Sequence, residues 1–301
     1  MTDKTIAFIG LGIMGAPMAA HLVRAGYVVT GHDHKDAAIA ALAKAGGGGA
    51  ATIADAVADA DVVITMLPDS SDVESAALDQ DGIYRNAHPG ALHIDCSTIR
   101  PDAAAALARH AAEHQIAAVD APVSGGQGGA QQAALSIMVG GTPDEFARAQ
   151  PILGALGSTV AHVGGHGAGQ TVKAANQLIV AGHIELLAEA LTFLRAHAVD
   201  IDAALQVLAG GLAGSTVLSR KAPGMLARDF TPGFRIDLHH KDMGIVTAAA
   251  RQAGVIIPLG AHVAQLVASV KAQGNGGLDH SALLLAVEHL SGLQTQPGGR
   301  L

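Results

Sequence analysis

The stretch TIAFIGLGIMGAPMAAHLVRAGYVVTGHD, residues 5–33, decides the fold. TIAFIG (5–10) is apolar and β-branched, a strand pattern, and it runs straight into the glycines of GLGIMG. APMAAHLVRAG then has helical spacing and stops at Gly26, and YVVTGHD (27–33) reads as a second strand. Asp33 falls at the carboxyl end of that strand, 18 residues after Gly15. Strand, glycine turn, helix, strand and acid together form the context of a dinucleotide fingerprint. Gly10 makes the tight turn, Gly12 admits a pyrophosphate to the backbone, and Gly15 lets the helix pack on the strand. A bare strand-to-helix turn would need the glycines but not the acid.

Outward from there the alternation continues. A helix is expected from Lys35 to Lys44, a loop at GGGG (46–49), a helix around Ile53–Ala60, and a strand at DVVITMLP (61–68), apolar throughout as a doubly covered strand is. ALHIDCST (91–98) repeats that design. Loops after such strands face the ligand in a doubly wound sheet, so Leu67, Pro68, Ser97 and Thr98 are candidate cofactor-lining residues. Ser97 and Thr98 also read as an N-cap for the helix beginning near Pro101. IAAVDAPVSGGQGGA (116–130) is a strand entering a glycine-dense loop. There Ser124, Gly125 and Gly126 offer a hydroxyl and successive N–H groups for a carboxylate, or simply a turn. ALSIMVGG (134–141), a helix capped by Thr142 with Pro143 at its first position, and STVAHVG (158–164) complete a domain of residues 1–164.

No convincing strand follows. GHGAGQTVKAANQLIVAGHIELLAEAL (165–191) opens a long helix, apolar on nearly every side and therefore expected to be buried all round. It carries one conspicuous charge, Lys173, with Asn176 and Gln177 on the same face at i+3 and i+4. Lys173 either presents a proton carrier to a ligand or snorkels into water. The remaining helical stretches make residues 165–301 an all-α domain. Lys241 and Asp242 are either a solvated turn of charge or groups reaching a cleft. So much apolar helix implies an oligomer, a dimer or tetramer.

Composition narrows the partners. A formal net charge of -8 with no basic run argues against nucleic acid, and the single cysteine, Cys96, fits a reducing, cytoplasmic setting. The chain reads as lacking a signal peptide and any apolar run of membrane-spanning length. His110, Glu113 and His114 formally match H-x-x-E-H, but an Ala-rich crossover helix supplies no third ligand, so no metal is expected.

Several separated motifs, in order along nearly the whole chain, resemble the β-hydroxyacid dehydrogenase family: FIGLGIMGAPMA, DAPVSGG, GAGQTVKAANQ and KDM. The resemblance implies an α/β Rossmann-type domain followed by an all-helical domain, NAD as cofactor with NADP possible, and a small carboxylate bearing an aldehyde or alcohol as substrate. It further implies that Lys173 is the general acid/base, and that Ser124, Gly125, Gly126 and Asn176 hold substrate. Lys241 then reaches cofactor and substrate, and Gly10, Leu11, Gly12, Ile13, Met14, Gly15, Asp33, Leu67, Pro68 and Thr98 bind the dinucleotide. Within the family GGLAGSTVL, KAP, PGFRIDLHHKD and DHSA resemble the branch that reduces tartronate semialdehyde, with 3-hydroxyisobutyrate oxidation as the sister reading. Gln127, Ala133 and Ala134 depart from the usual Glu, Gly and Thr. A nicotinamide-binding protein without catalysis is the alternative from another class, since fold does not fix function.

Overall fold

The structure, a computed structural model, describes residues 4–293. The chain divides into two compact units, residues 1–173 and 174–301.

In the first unit β1 (Thr5–Ile9), α1 (Gly15–Arg24), β2 (Val28–His32), α2 (Asp36–Lys44) and β3 (Gly48–Gly49) are followed by α3 (Ile53–Val57) and β4 (Val62–Thr65). Then come α4 (Ser70–Leu78), α5 (Ile83–Asn86), β5 (Leu92–Asp95), α6 (Pro101–Glu113) and β6 (Ala117–Asp120). β7 (Val123–Ser124), α7 (Gly126–Gln131), β8 (Leu135–Gly140), α8 (Pro143–Leu153) and β9 (Gly157–Gly164) end the sheet. The strand order is β3-β2-β1-β4-β5-β6-β8-β7, with β9 on β8. From β3 to β6 every pairing is parallel, and β8 turns antiparallel to β6 and β7. The chain winds away in opposite directions from β1 and β4, so the crevice outside their carboxyl ends is the ligand-binding switch point.

Alternating side chains explain why both sheet faces are covered. Ile6, Phe8, Ile64, Leu92 and Ile94 pack against Met18 and Leu22 of α1 and Ile152 of α8. Ala7, Ile9, Val63 and Ala118 pack the other way, against Val57, Val73 and Leu107. Each large side chain so buried contributes about 1.5–3 kcal/mol. Thr142 caps α8 through Glu145 in a reciprocal box with Pro143 at the first turn, as expected.

Local differences from the sequence reading have local causes. The GGGG loop contains β3, because Gly48 and Gly49 pair with Thr30 and Gly31. The glycine-dense loop after Ser124 folds into α7, and α4 starts from an Asp69–Asp72 capping box that was not foreseen. Ser97 and Thr98 do not cap α6; its N-cap is Arg100, which makes no side-chain cap bond.

Helix α9 (Ala168–Ala196) carries the chain out of the first unit. The second adds α10 (Ile201–Gly210), α11 (Thr216–Ala227), α12 (Ile236–Gln252), α13 (Pro258–Val270) and α14 (Leu283–Leu290). Ile184, Leu187, Leu191, Met225, Ile236, Met243, Val267 and Leu284 share one apolar core. Arg235 and Asp279 form an isolated β-bridge.

Two expectations about α9 need correction. It is not buried all round: Val172, Ile179, Leu186 and Phe193 are 38–64% exposed, a stripe with seven-residue spacing left uncovered by a single chain. It is also long and apolar enough to cross a membrane by length and composition, contrary to the sequence reading. Its buried polar side chains tie it to the rest of the protein, since Gln170, Lys173 and Gln177 bond to groups outside the helix.

Candidate active site

At the carboxyl end of β1 the glycines behave as their spacing requires. Gly10 has φ +95, and a Cβ on it would strike the Met66 carbonyl and Leu67. A Cβ on Gly15 would overlap the Gly10 carbonyl oxygen, so α1 sits on the turn only as glycine. Gly12 has open space where its Cβ would be, leaving a cradle for a ligand against bare backbone. Leu11 is buried in the core, Met14 packs partly against it, and Ile13 is exposed. What these three offer a ligand is therefore mainly backbone.

Asp33 lies just beyond β2. Its Oδ2 accepts from Leu11 N at 2.8 Å and its Oδ1 from Lys35 N at 2.9 Å. The carboxylate is thereby fixed beside the glycine turn, and each oxygen keeps a second lone pair for a ribose hydroxyl. Cradle, helix N-terminus and fixed acid fit an adenine dinucleotide.

The next two loops are tied together. Leu67 N donates to Ser97 Oγ at 2.9 Å, and Ser97 N to Asp95 Oδ1 at 3.1 Å. Ser97 is buried, Thr98 is half-buried and Pro68 is exposed. Gln170, in the first turn of α9, reads this loop with both ends of its amide: Nε2 donates to Ser97 O at 2.8 Å and Oε1 accepts from Ile99 N at 3.1 Å. Asp120, at the end of β6, anchors the same turn by accepting from Gly167 N and Gln170 N. Burial, and secondarily the nearby Asp95, push the Asp120 carboxyl up, although those backbone donors oppose the shift.

Lys173 follows Gln170 by three residues. It is 7% exposed, and its Nζ donates to the Val123 carbonyl at 2.7 Å, so it does not snorkel into water. That carbonyl belongs to the residue before Ser124, which brings the ammonium to the start of the Ser124-Gly125-Gly126 turn. Gly125 (φ +133) and Gly126 (φ +63) take conformations that suit glycine. These residues share the sheet end that carries the glycine turn, Leu67 and Ser97.

In the second unit a directional chain runs through α9 and α12. Asn176 Nδ2 donates to Gln177 Oε1 at 2.7 Å, Gln177 Nε2 donates to Asp242 Oδ2 at 2.6 Å, and Asp242 Oδ1 pairs with Lys241 Nζ at 3.0 Å. Asp242 is buried and Lys241 largely so, which overturns the solvated-turn reading. A second cluster joins separated motifs: Asp279 pairs with Lys221 at 2.9 Å and accepts from Gly233 N and Phe234 N. Burial pushes the Asp279 carboxyl up, but the Lys221 ammonium and the surrounding hydrogen-bond donors outweigh it and hold it below the usual carboxylate range.

Sequence reasoning missed Asp95, Asp120 and Gln170. Their positions at strand ends and on the Lys173 face were visible; their partners, tens of residues away, were not. His110, by contrast, is exposed on α6 and lies 3.4 Å from Glu113 as an ordinary surface pair.

A parallel sheet wound both ways from β1, with this glycine cradle and acid, defines a dinucleotide-binding protein of the Rossmann type. Residues 5–164 match the NAD binding domain of 6-phosphogluconate dehydrogenase, and residues 167–287 the NAD-binding region of NADP-dependent 3-hydroxyisobutyrate dehydrogenase. The chain is 38% identical to 2-hydroxy-3-oxopropionate reductase of Escherichia coli, over 94% of this chain and 97% of that protein. It is 37% identical to an NAD-dependent L-serine dehydrogenase of Pseudomonas aeruginosa, over 93% and 96%. A solved Mycobacterium tuberculosis 3-hydroxyisobutyrate dehydrogenase with L-serine superposes with TM-score 0.87 at 36% identity, covering 95% of this chain and 99% of that one. The chain belongs to the β-hydroxyacid dehydrogenase family, of the 3-hydroxyisobutyrate dehydrogenase type, and it is an NAD(P)-dependent enzyme.

Proposed function

We propose that the protein reduces tartronate semialdehyde (2-hydroxy-3-oxopropanoate) to D-glycerate, with Lys173 as general acid. The observation that carries the reading is the buried Lys173 ammonium held on the Val123 carbonyl beside Ser124. The bound dinucleotide supplies or accepts the hydride. Lys173 gives its proton to the aldehyde oxygen as that oxygen gains negative charge, an effect typically worth about 10² to 10⁴ in rate; in reverse the neutral amine takes the proton from the alcohol. Ser124 and the N–H groups of Gly125 and Gly126 receive the substrate carboxylate. Asn176 donates to a substrate oxygen, kept in aim by Gln177 and Asp242. Lys241, paired with Asp242, supplies a second cation towards cofactor and substrate.

The substrate choice is supported by the cluster in which Asp279 of DHSA binds Lys221 of KAP and the backbone of Gly233 and Phe234 of PGF. Three motifs that favour this branch of the family thus form one local structure. Domains of residues 1–164 and 165–301 divide the work, the first holding the dinucleotide and, at Ser124–Gly126, the substrate carboxylate, and the second supplying the remaining substrate groups and the subunit contacts. The reading as a homo-oligomer, dimer or tetramer, is supported by the uncovered stripe on α9, and the single buried cysteine is compatible with a cytoplasmic enzyme. Asp33 favours NADH over NADPH, because its carboxylate accepts from ribose hydroxyls and repels a 2′-phosphate.

The test is a panel of tartronate semialdehyde, methylmalonate semialdehyde, succinate semialdehyde and glyoxylate, each with NADH and NADPH. The highest kcat/KM is expected for tartronate semialdehyde with NADH. A higher value for methylmalonate semialdehyde would replace this substrate with that of the sister reading, and no turnover of any would favour a binding protein without catalysis.

A further inference from the structure

We propose that Tyr84, His93 and Thr65 form a one-way hydrogen-bond chain that positions the Asp95–Ser97 turn, and through it the loops facing the dinucleotide. The Tyr84 hydroxyl lies 3.0 Å from His93 Nδ1, and His93 Nε2 lies 3.0 Å from Thr65 Oγ1. Thr65 Oγ1 in turn lies 2.7 Å from Asp95 Oδ1. All four residues are buried.

The direction follows from counting protons. A threonine hydroxyl has one, and here it goes to Asp95, so His93 must donate from Nε2. Nδ1 is then the bare nitrogen and accepts from the Tyr84 phenol. Burial supports both assignments: it lowers the His93 imidazole to about 4, keeping it neutral, and pushes the Tyr84 phenol up, keeping it protonated.

A core position lined by aliphatic groups would accept leucine at 93 with no desolvation to offset, so a buried histidine and phenol have to be explained by what their bonds hold. At the inner end stands Asp95, in register with Asp120 on the adjoining strand. Two buried carboxyls side by side repel unless each is met by fixed donors. Gly167 N and Gln170 N serve Asp120, and Thr65 O–H and Ser97 N serve Asp95. Ser97 then receives Leu67 N on its hydroxyl and Gln170 Nε2 on its carbonyl, three residues before Lys173. At the outer end Tyr84 lines a surface pocket of about 280 Å³ with Arg85, His110 and His114. The chain therefore spans the layer between solvent and the ligand-facing loops. The proposal rests on the reading of Leu67, Pro68 and Thr98 as cofactor-facing.

The experiment titrates NADH by fluorescence and measures kcat, KM and thermal melting for wild type, Tyr84→Phe, His93→Leu and His93→Gln. Glutamine can accept from Tyr84 and donate to Thr65, and leucine can do neither. His93→Leu is expected to weaken NADH binding about fivefold or more and Tyr84→Phe about threefold, the range for one lost hydrogen bond, with His93→Gln within about twofold of wild type. A purely structural role would lower the melting temperature and leave binding, measured well below it, unchanged. The proposal is overturned if the folded leucine and phenylalanine variants bind NADH within twofold of wild type, or if glutamine restores no more than leucine does. Should His93→Leu not fold, Tyr84→Phe decides, because it removes one oxygen at the outer end. Wild-type protein that binds neither NADH nor NADPH overturns both the chain's role and the site reading beneath it; wild-type binding with unchanged variants overturns the chain alone.

Discussion

Replacing Lys173 with alanine separates what the side chain does for the fold from what it does for the reaction. The variant loses a charge-assisted bond of 2.7 Å to the Val123 carbonyl, worth about 1.5–3 kcal/mol, and leaves that carbonyl to be satisfied elsewhere. It also loses three methylenes at about 0.8 kcal/mol each. Against these losses it no longer buries an ammonium, whose desolvation costs several kcal/mol. The opposing contributions nearly cancel, so stability is expected to change by no more than about 2 kcal/mol, a melting shift of several degrees. Turnover has no such compensation. Loss of a positioned proton donor lowers kcat by about 10² to 10⁴, equivalent to about 2.7–5.4 kcal/mol on the barrier. NADH affinity should hold within a few-fold, because none of the proposed dinucleotide contacts, at Gly10–Gly15, Asp33, Leu67, Pro68, Thr98 and Lys241, is made by Lys173 itself. The assay is kcat with tartronate semialdehyde and NADH, run beside an NADH titration and a melting curve. A folded variant with kcat within threefold of wild type would refute the assignment.

Ser124→Ala and Asn176→Ala are each expected to raise KM or lower kcat/KM about tenfold, since their bonds hold substrate in ground and transition states alike; unchanged steady-state constants would move the substrate elsewhere. Asp33→Ser combined with His34→Arg should shift kcat/KM towards NADPH, and a wild type already faster with NADPH at equal concentration contradicts the role given to Asp33. Burial, with Glu189 adding repulsion, pushes the Glu185 carboxyl up to about 7 from 4.5. The unfolded chain therefore ionises first, and the native state loses stability as pH rises from about 4.5 to about 7. Glu185→Gln should accordingly stabilise by about 1–3 kcal/mol at pH 8 and by nearly nothing at pH 4, and an equal melting shift at both values would show the carboxyl is not the cause. Ile179→Glu with Phe193→Glu should convert an oligomer into a 30.1 kDa species in light scattering, and a wild type already of that mass sinks the interface.

Legibility followed the range of the interaction. Residues 5–33 could be read because strand period, glycine spacing and the terminal acid are local, and the structure has Asp33 gripping Leu11 at that turn. Helix α7 could not, since GQGGAQ costs roughly 1 kcal/mol per glycine in helix propensity and forms only with tertiary support. The exposure of Ile179 and Phe193 was hidden for another reason. A helix apolar all round gives no sign of which face its own chain will leave uncovered.

The residues around Lys173 show the same limit at the level of chemistry. Spacing put Asn176 and Gln177 on its face, but Gln177 turns to Asp242, 65 residues on, and Lys173 to Val123, 50 residues back. The second choice bears on mechanism. A carbonyl accepts the lysine's hydrogen bond without carrying a formal charge, so this bond orients the side chain without itself neutralising it. A carboxylate in the same place would have made burial easier and spent much of the field that a developing alkoxide needs. The sequence could name the lysine; only the fold supplies the Val123 carbonyl, 50 residues back, on which its buried Nζ is held.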